Sequence, residues 1–185
     1  MRLSVPIGRR TLLRAGGMSA GLLALGRLRA LPAAHAESVP ADAPLRVLSR
    51  RDAEILTAVA GRITFTGEPR MPLFADTQGL ITIDTALLQL PPDVPQQLSW
   101  ALRLIEYSPP LTVGKFSTFT GLPPEWQDVT LIAWEQSRIR LLRIAFQALK
   151  NLSMLGFYAQ PETWPQIHYQ GPWIMRPPRV VGEAR

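Results

Sequence analysis

The placement of proline constrains this chain more than any other feature. Its 18 prolines include the pairs Pro91-Pro92, Pro109-Pro110 and Pro123-Pro124, with Pro69 and Pro72 upstream and Pro161, Pro165 and Pro172 downstream. Proline has no backbone N–H, and its ring clashes with the turn before it, so a helix can start with one but not run through one. Between these breaks, apolar residues recur three and four apart, the spacing of one helix face. The pattern predicts an all-α chain: a single orthogonal helical domain of about five to six helices, proline-rich loops, and an extended aromatic C-terminal arm.

Segment by segment, residues 37–48 are a polar lead containing Pro and Ala and read as a linker. Ser49 suits a helix N-cap, with Asp52 and Glu54 in the first turn where the helix dipole favours negative charge. Ile55, Val59 and Ile63, flanked by Leu56 and Ala60, form the apolar stripe of a helix ending near Thr66-Gly67. Residues 67–80 read as a loop. Ile81-Thr82-Ile83 alone suits a strand, but Asp84 with Ala86, Leu87, Leu88 and Leu90 reads better as a short helix capped by Thr82 or Asp84. Asp93 then caps a helix with Pro95 in its first turn and Leu98, Ala101 or Leu102, and Ile105 inward; Pro109-Pro110 stops it. A short helix over 112–119 is expected to hold Phe116 and Phe119 and to end at Gly121 in the left-handed conformation. A further helix runs from about 123 through Trp126, Val129 and Trp134. The last, 138–158, carries Ile139, Leu142, Phe146, Leu149 and Leu152. The helical domain thus spans 49–160 and the arm 161–185.

The N-terminus has a different logic. Gly8-Arg9-Arg10-Thr11-Leu12-Leu13-Arg14 follows the twin-arginine export pattern, with Arg9 and Arg10 as the paired basic residues and Leu12 and Leu13 in the apolar slots. A short apolar run, Ala15 to Leu25, follows, about half of what a membrane-spanning helix needs. Ala34-His35-Ala36 offers small residues at Ala34 and Ala36, as signal peptidase requires, so residues 1–36 read as a signal and the mature chain starts at Glu37. The twin-arginine route carries folded proteins, which points to a periplasmic chain that acquires a partner or cofactor before export. Six of the 20 basic residues, and none of the 14 acidic ones, precede Glu37. The net charge of +6 therefore belongs to the signal and is no nucleic-acid footprint.

Composition narrows the chemistry. With no cysteine, the chain can form no disulfide, thiolate zinc site, iron–sulfur cluster, covalent haem link or lipoprotein anchor. His168 is the one histidine beyond the signal. No nucleophile elbow, Gly-rich phosphate loop, H-E-x-x-H or calcium loop occurs. No catalytic, cofactor-binding or metal-binding residue is assigned. Glu135, His168 and Tyr169 are the residues a small helical hydrolase or isomerase would have to use.

Two features suit binding. Arg140, Arg143, Gln147 and Lys150 line one side of the last helix, as either a solvated face or a docking face. The stretch from Tyr158 to Trp173 is dense in proline and aromatics, which limits the freedom lost on ordering and supplies contact area. Tyr158, Trp164, Tyr169, Pro172 and Trp173 are its candidate partner-binding residues; Trp164 is also a candidate for packing on its own helices.

Several strings carry a family resemblance. They are Phe116-x-x-Phe119-x-x-Leu122, Trp134-x-x-Ser137, Arg143-x-x-Phe146-x-x-Leu149-Lys150 and Gly156-Phe157-Tyr158-x-x-Pro161-x-x-Trp164-x-x-Ile167-x-Tyr169-x-Gly171-Pro172-Trp173. With the opening helix from Leu48, they make the chain resemble the small subunit (subunit 3) of membrane-associated gluconate 2-dehydrogenases and related FAD-dependent sugar and alcohol dehydrogenases. The match is dense in the C-terminal half and loose over 66–112; His168 stands where that tail commonly has Gly. The resemblance implies a non-catalytic accessory subunit with no cofactor of its own. Its large flavoprotein partner, of the glucose–methanol–choline type, would hold FAD. A cytochrome c subunit often completes such complexes and passes electrons on at the membrane. The twin-arginine translocase would be a transient partner, engaged by the small subunit on behalf of both. Apart from the resemblance, an independent periplasmic binding or chaperone module also fits the residues.

Overall fold

The computed structural model describes Val39 and residues 43–171. Among the described residues the chain is all-helical and contains no strand. Six α-helices follow in order: α1 (Arg50–Thr64), α2 (Gly79–Leu87), α3 (Asp93–Glu106), α4 (Pro109–Thr112), α5 (Pro124–Glu135) and α6 (Arg140–Tyr158). Short 3-10 turns cover Phe74–Asp76, Phe119–Gly121 and Pro161–Ile167.

The longest helices, α1 and α6, pack on each other, with α2 and α5 also against α6 and α3 against α1. The core between them is built on the fully buried Ile55, Leu56, Phe74, Ile83, Leu149 and Phe157, together with Leu102, Ile105, Phe119 and Trp134. Phe74 stacks on Phe157 at 6.5 Å. The Trp134 indole would carry an unsatisfied N–H into this core, a costly burial. Its Nε1 instead donates to Ser108 Oγ at 3.0 Å, and Ser108 Oγ donates to the Ile105 carbonyl at 3.0 Å. That relay fastens α5 to the corner between α3 and α4.

Ser49 caps α1 as its sequence suggests: its Oγ accepts from Asp52 N at 3.1 Å and donates to Asp52 Oδ2 at 2.7 Å. Ser99 of α3 donates to the same carboxylate oxygen at 2.9 Å. Glu106, fully buried at the end of α3, accepts from the Arg51 guanidinium, from Thr120 N at 3.1 Å and from Thr120 Oγ1 at 2.7 Å. Arg62 grips Asp128 through two parallel bonds of 2.8 and 2.7 Å, tying α1 to α5.

Several sequence expectations are corrected. Neither Thr82 nor Asp84 caps a helix. α2 starts earlier, at Gly79, whose N–H donates to Thr77 Oγ1 at 3.1 Å. Asp84 lies buried inside α2 and reaches a different segment: its Oδ2 accepts from Arg46 N at 2.7 Å, and its Oδ1 from Val47 N at 3.1 Å and Leu48 N at 2.8 Å. Part of the expected linker, 43–48, is thereby pinned, with Ala43, Leu45 and Val47 packed on the core and Leu48 in it. Val39 is also buried, and its carbonyl accepts from Arg50 at 2.7 Å. α1 ends at Thr64, short of Thr66-Gly67. Pro92 occupies the N-cap of α3, and Asp93 is its first helical residue. Pro109-Pro110 open α4 rather than simply stop α3.

The helix expected over 112–119 does not form as such. Residues 109–112 are helical, Phe116 is 84% exposed, and Phe119 is buried through the following 3-10 turn. The left-handed glycine there is Gly114 (φ 69°), not Gly121. In α6, Ile139 sits exposed at the N-cap, and the buried stripe is carried by Ala145, Phe146, Leu149 and Phe157. The expected extended arm begins with the compact 3-10 turn of Pro161–Ile167.

α2 and α6 approach closely at Gly156. A Cβ there would lie 2.8 Å from the Gly79 carbonyl oxygen and from Ile83. Gly156→Ala is expected to destabilise the protein by about 2 kcal/mol, because overpacking a tight contact costs roughly 1–3 kcal/mol. Asp84→Ala strips the acceptors from three backbone N–H groups and should cost about 3 kcal/mol, the range for unsatisfied buried donors. Urea denaturation of both variants measures these losses; a change under about 0.5 kcal/mol in either would show that the contact is not needed.

Candidate docking surface

The described candidate residues of the tail, Tyr158, Trp164 and Tyr169, fold into a local knot. Trp164 Nε1 donates to the Tyr158 carbonyl at 3.0 Å, and Tyr169 N donates to the Trp164 carbonyl at 3.0 Å. The Trp164 and Tyr169 rings meet edge to face at 5.2 Å, as do those of Phe157 and Tyr158. Gly171, with φ 98°, lies so close to the Trp164 ring that a Cβ would come within 3.2 Å of it. The knot is moored to α2 and to the last turns of α6: Gln160 Nε2 donates to Thr82 Oγ1 at 3.0 Å and to the Gly156 carbonyl at 2.8 Å. Trp164 is half-buried in this knot rather than in the main core, while Ile167 and Tyr169 stay exposed.

The chain turns sharply at His168, whose φ of 55° and ψ of 30° are left-handed. A side chain there is strained by its own Cβ, which is why glycine favours the position.

The candidate basic residues sit elsewhere. Arg140 and Arg143 are exposed in the first turns of α6, a 19-residue helix. Tyr158 is its last residue, roughly 27 Å away at about 1.5 Å per residue. The structure therefore brings Tyr158, Trp164 and Tyr169 together and leaves Arg140 and Arg143 as a separate group. Arg143 donates to the Ser137 carbonyl at 2.5 Å. Lys150, in the same row, approaches Glu135 at 3.7 Å and lies 5.8 Å over the Phe146 ring. The candidates Arg9, Arg10, Leu12, Leu13, Ala34, Ala36, Pro172 and Trp173 lie outside the described residues.

Sequence reading missed a second apolar face on α6. Leu141, Ile144 and Leu155 are 63%, 54% and 52% exposed, with the exposed Ala148 and Asn151 between them. The signal was present in doubled residues: Leu141-Leu142, Ile144-Ala145 and Ala148-Leu149 send one member inward and one outward. A helix apolar on more than one face expects more than one neighbour. On α3 and just beyond it, Trp100, Leu104, Tyr107 and Leu111 form another exposed row, spaced four, three and four.

For chemistry the arrangement offers less. Glu135 is engaged with Lys150, and His168 lies exposed on the turn after the last 3-10 segment. Among the described residues no three carboxylate or imidazole side chains gather as a metal would need. Clefts of about 230 and 260 Å³ flank α1 and the Phe74 turn, and neither is lined by Glu135, His168 or Tyr169. No described helix is long and apolar enough to cross a membrane.

No protein-family model, no curated protein and no solved structure matches the chain.

His168→Gly should relieve the left-handed backbone and raise stability by about 0.5–1 kcal/mol, despite the freedom glycine adds to the unfolded chain. A thermal melt compares it with His168→Ala, which keeps the Cβ and should gain nothing. Equal melting temperatures for the two variants would contradict the strain argument.

Proposed function

We propose that this chain is the non-catalytic small subunit of a periplasmic, FAD-dependent sugar or alcohol dehydrogenase, and that it supports maturation and twin-arginine export of the flavoprotein by binding it. The observation that carries the reading is the tail motif from Gly156 to Trp173 together with the backbone at His168. Motif residues Tyr158, Trp164, Tyr169 and Gly171 meet one another. His168, standing where the resembled family commonly has glycine, has the positive φ that glycine favours.

The reading joins an export signal to a binding surface. FAD is inserted in the cytoplasm, so a flavoprotein must cross the membrane folded, and a partner bearing Arg9-Arg10 can take it across. The mechanism asked of this chain is contact: exposed aromatic and apolar side chains desolvate against the flavoprotein, and the paired arginines engage the translocase. FAD belongs to the partner, and a cytochrome c subunit would accept its electrons.

The neighbouring reading frame is expected to encode a flavoprotein without a signal and with a G-x-G-x-x-G start. When the two are co-expressed, Arg9→Lys with Arg10→Lys should leave both subunits in the cytoplasm, read by fractionation and by dehydrogenase activity in the periplasm. Tyr169→Ala with Trp173→Ala should lower co-purification of the flavoprotein several-fold. Export of the flavoprotein with the lysine pair in place would remove the carrier role, and undiminished recovery with the alanine pair would remove the tail from the interface.

A further inference from the structure

We propose that the outer face of α6, from Arg140 to Leu155, is a docking site for an apolar helix with acidic flanks on a partner protein. The proposal deepens the reading of the chain as a binding subunit and rests on it, but uses a different surface from the tail.

The apolar part is a seam. Leu141, Ile144, Ala148, Asn151 and Leu155 recur three, four, three and four apart, and all are exposed. This is the repeat by which one helix lays a continuous edge against another. Single exposed leucines are ordinary, but a row along four turns with one polar residue within it is not. Asn151 in such a seam costs affinity and fixes register, a feature suited to a helix partner and of no use to a lipid surface.

The charged part lies on one side and toward one end. Arg138, Arg140 and Arg143 cluster at the N-terminus of α6, where the helix dipole is itself positive. Its first turn holds no acidic residue, and no side chain caps it. Arg138 and Arg140 enter no ion pair among the described residues. α6 has no Asp or Glu anywhere along it. Helix stability asks for the opposite arrangement, so the positive field is not explained by folding; acidic side chains from outside complement it.

The same charge argument sorts the occupants. Residues 1–38 carry six arginines against Glu37, and residues 172–185 carry Arg176, Arg179 and Arg185 against Glu183, so both ends of this chain share the sign of the site. A second copy would present another basic α6. A membrane-surface helix carries cations on both borders of its apolar face. Here only one border is basic, and the other runs into the core through Ala145 and Leu149.

The test uses the full-length chain and two synthetic 21-residue helices. Both have a leucine heptad seam with one central Asn; one is flanked by Glu and the other by Lys. Fluorescence anisotropy should show the Glu peptide binding at least tenfold tighter than its Lys twin, with affinity falling as salt rises. Leu141→Asp with Ile144→Asp should weaken the Glu peptide at least tenfold. Arg140→Glu with Arg143→Glu should reverse the preference between the peptides. Circular dichroism identifies variants that keep native helix content, and the charge reversal tests the site even if the apolar double variant misfolds.

Equal binding of the two peptides, or none, would overturn the proposal. So would tighter capture by phosphatidylglycerol vesicles, a concentration-dependent dimer abolished by Leu141→Asp, or peptide binding that appears only after residues 172–185 are removed. The flavoprotein reading fails separately: peptide binding without co-export of the neighbouring flavoprotein would keep the face and discard that partner.

Discussion

The carboxylate of Asp84 is the contact on which the rest of the fold is hung. It is buried within α2 and takes three backbone N–H groups from residues just ahead of α1. A carboxylate out of water is expensive unless donors surround it, and donors out of water are expensive unless an acceptor meets them. Each need answers the other, and the bonds fix where the chain enters α1. α1 in turn supplies the centre against which α3 and α6 pack. Glu106 repeats the device from α3, holding Arg51 in the first turn of α1 and Thr120 of the 3-10 turn. In both cases an α-helix side chain satisfies backbone that lies outside any α-helix, which is how segments short of N–H partners are held to the core.

α6 is the element through which structure leads to function. Its inner face closes the core through Phe146, Leu149 and Phe157, and its last turn passes directly into the Trp164 knot. Its outer face keeps a second apolar row and an arginine cluster that no described residue neutralises by ion pairing. The tail and the arginine cluster lie at opposite ends of this one helix. A partner touching both would span roughly 27 Å, well within a standard protein–protein interface.

Local signals were legible. The Ser49 cap and the stripe of α1, the inward residues of α3, and the existence of α5 and α6 all followed from spacing and breakers. Contacts between segments distant in sequence were not. Asp84 reads as a cap because carboxylates near apolar runs usually are caps; its true donors lie 36 to 38 residues away. Phe116 and Phe119 look alike in sequence, yet one is exposed and the other buried: Phe116 lies in the irregular stretch after the left-handed Gly114, and Phe119 opens the 3-10 turn that follows. For the candidate site, the aromatic density of the tail, the basic row of α6 and their separation along one helix were visible, but the folding of Trp164 against Tyr169 and Gly171 was not. The outer stripe of α6 was hidden because one periodicity was enough to explain the helix.

The sequence by itself determined the class of fold. Proline pairs and apolar spacing act within a few residues, so they dictate helices and their breaks before any tertiary contact forms. Tertiary structure decided which apolar face of α6 went inward, which carboxylates were buried, and that the chain from Pro165 to Gly171 curls onto Trp164. Those outcomes depend on which distant groups can satisfy one another's hydrogen bonds and fill one another's space, as the Gly156 carbonyl and Thr82 do for Gln160. Such complementarity is a property of surfaces brought together in space, and linear spacing does not encode it.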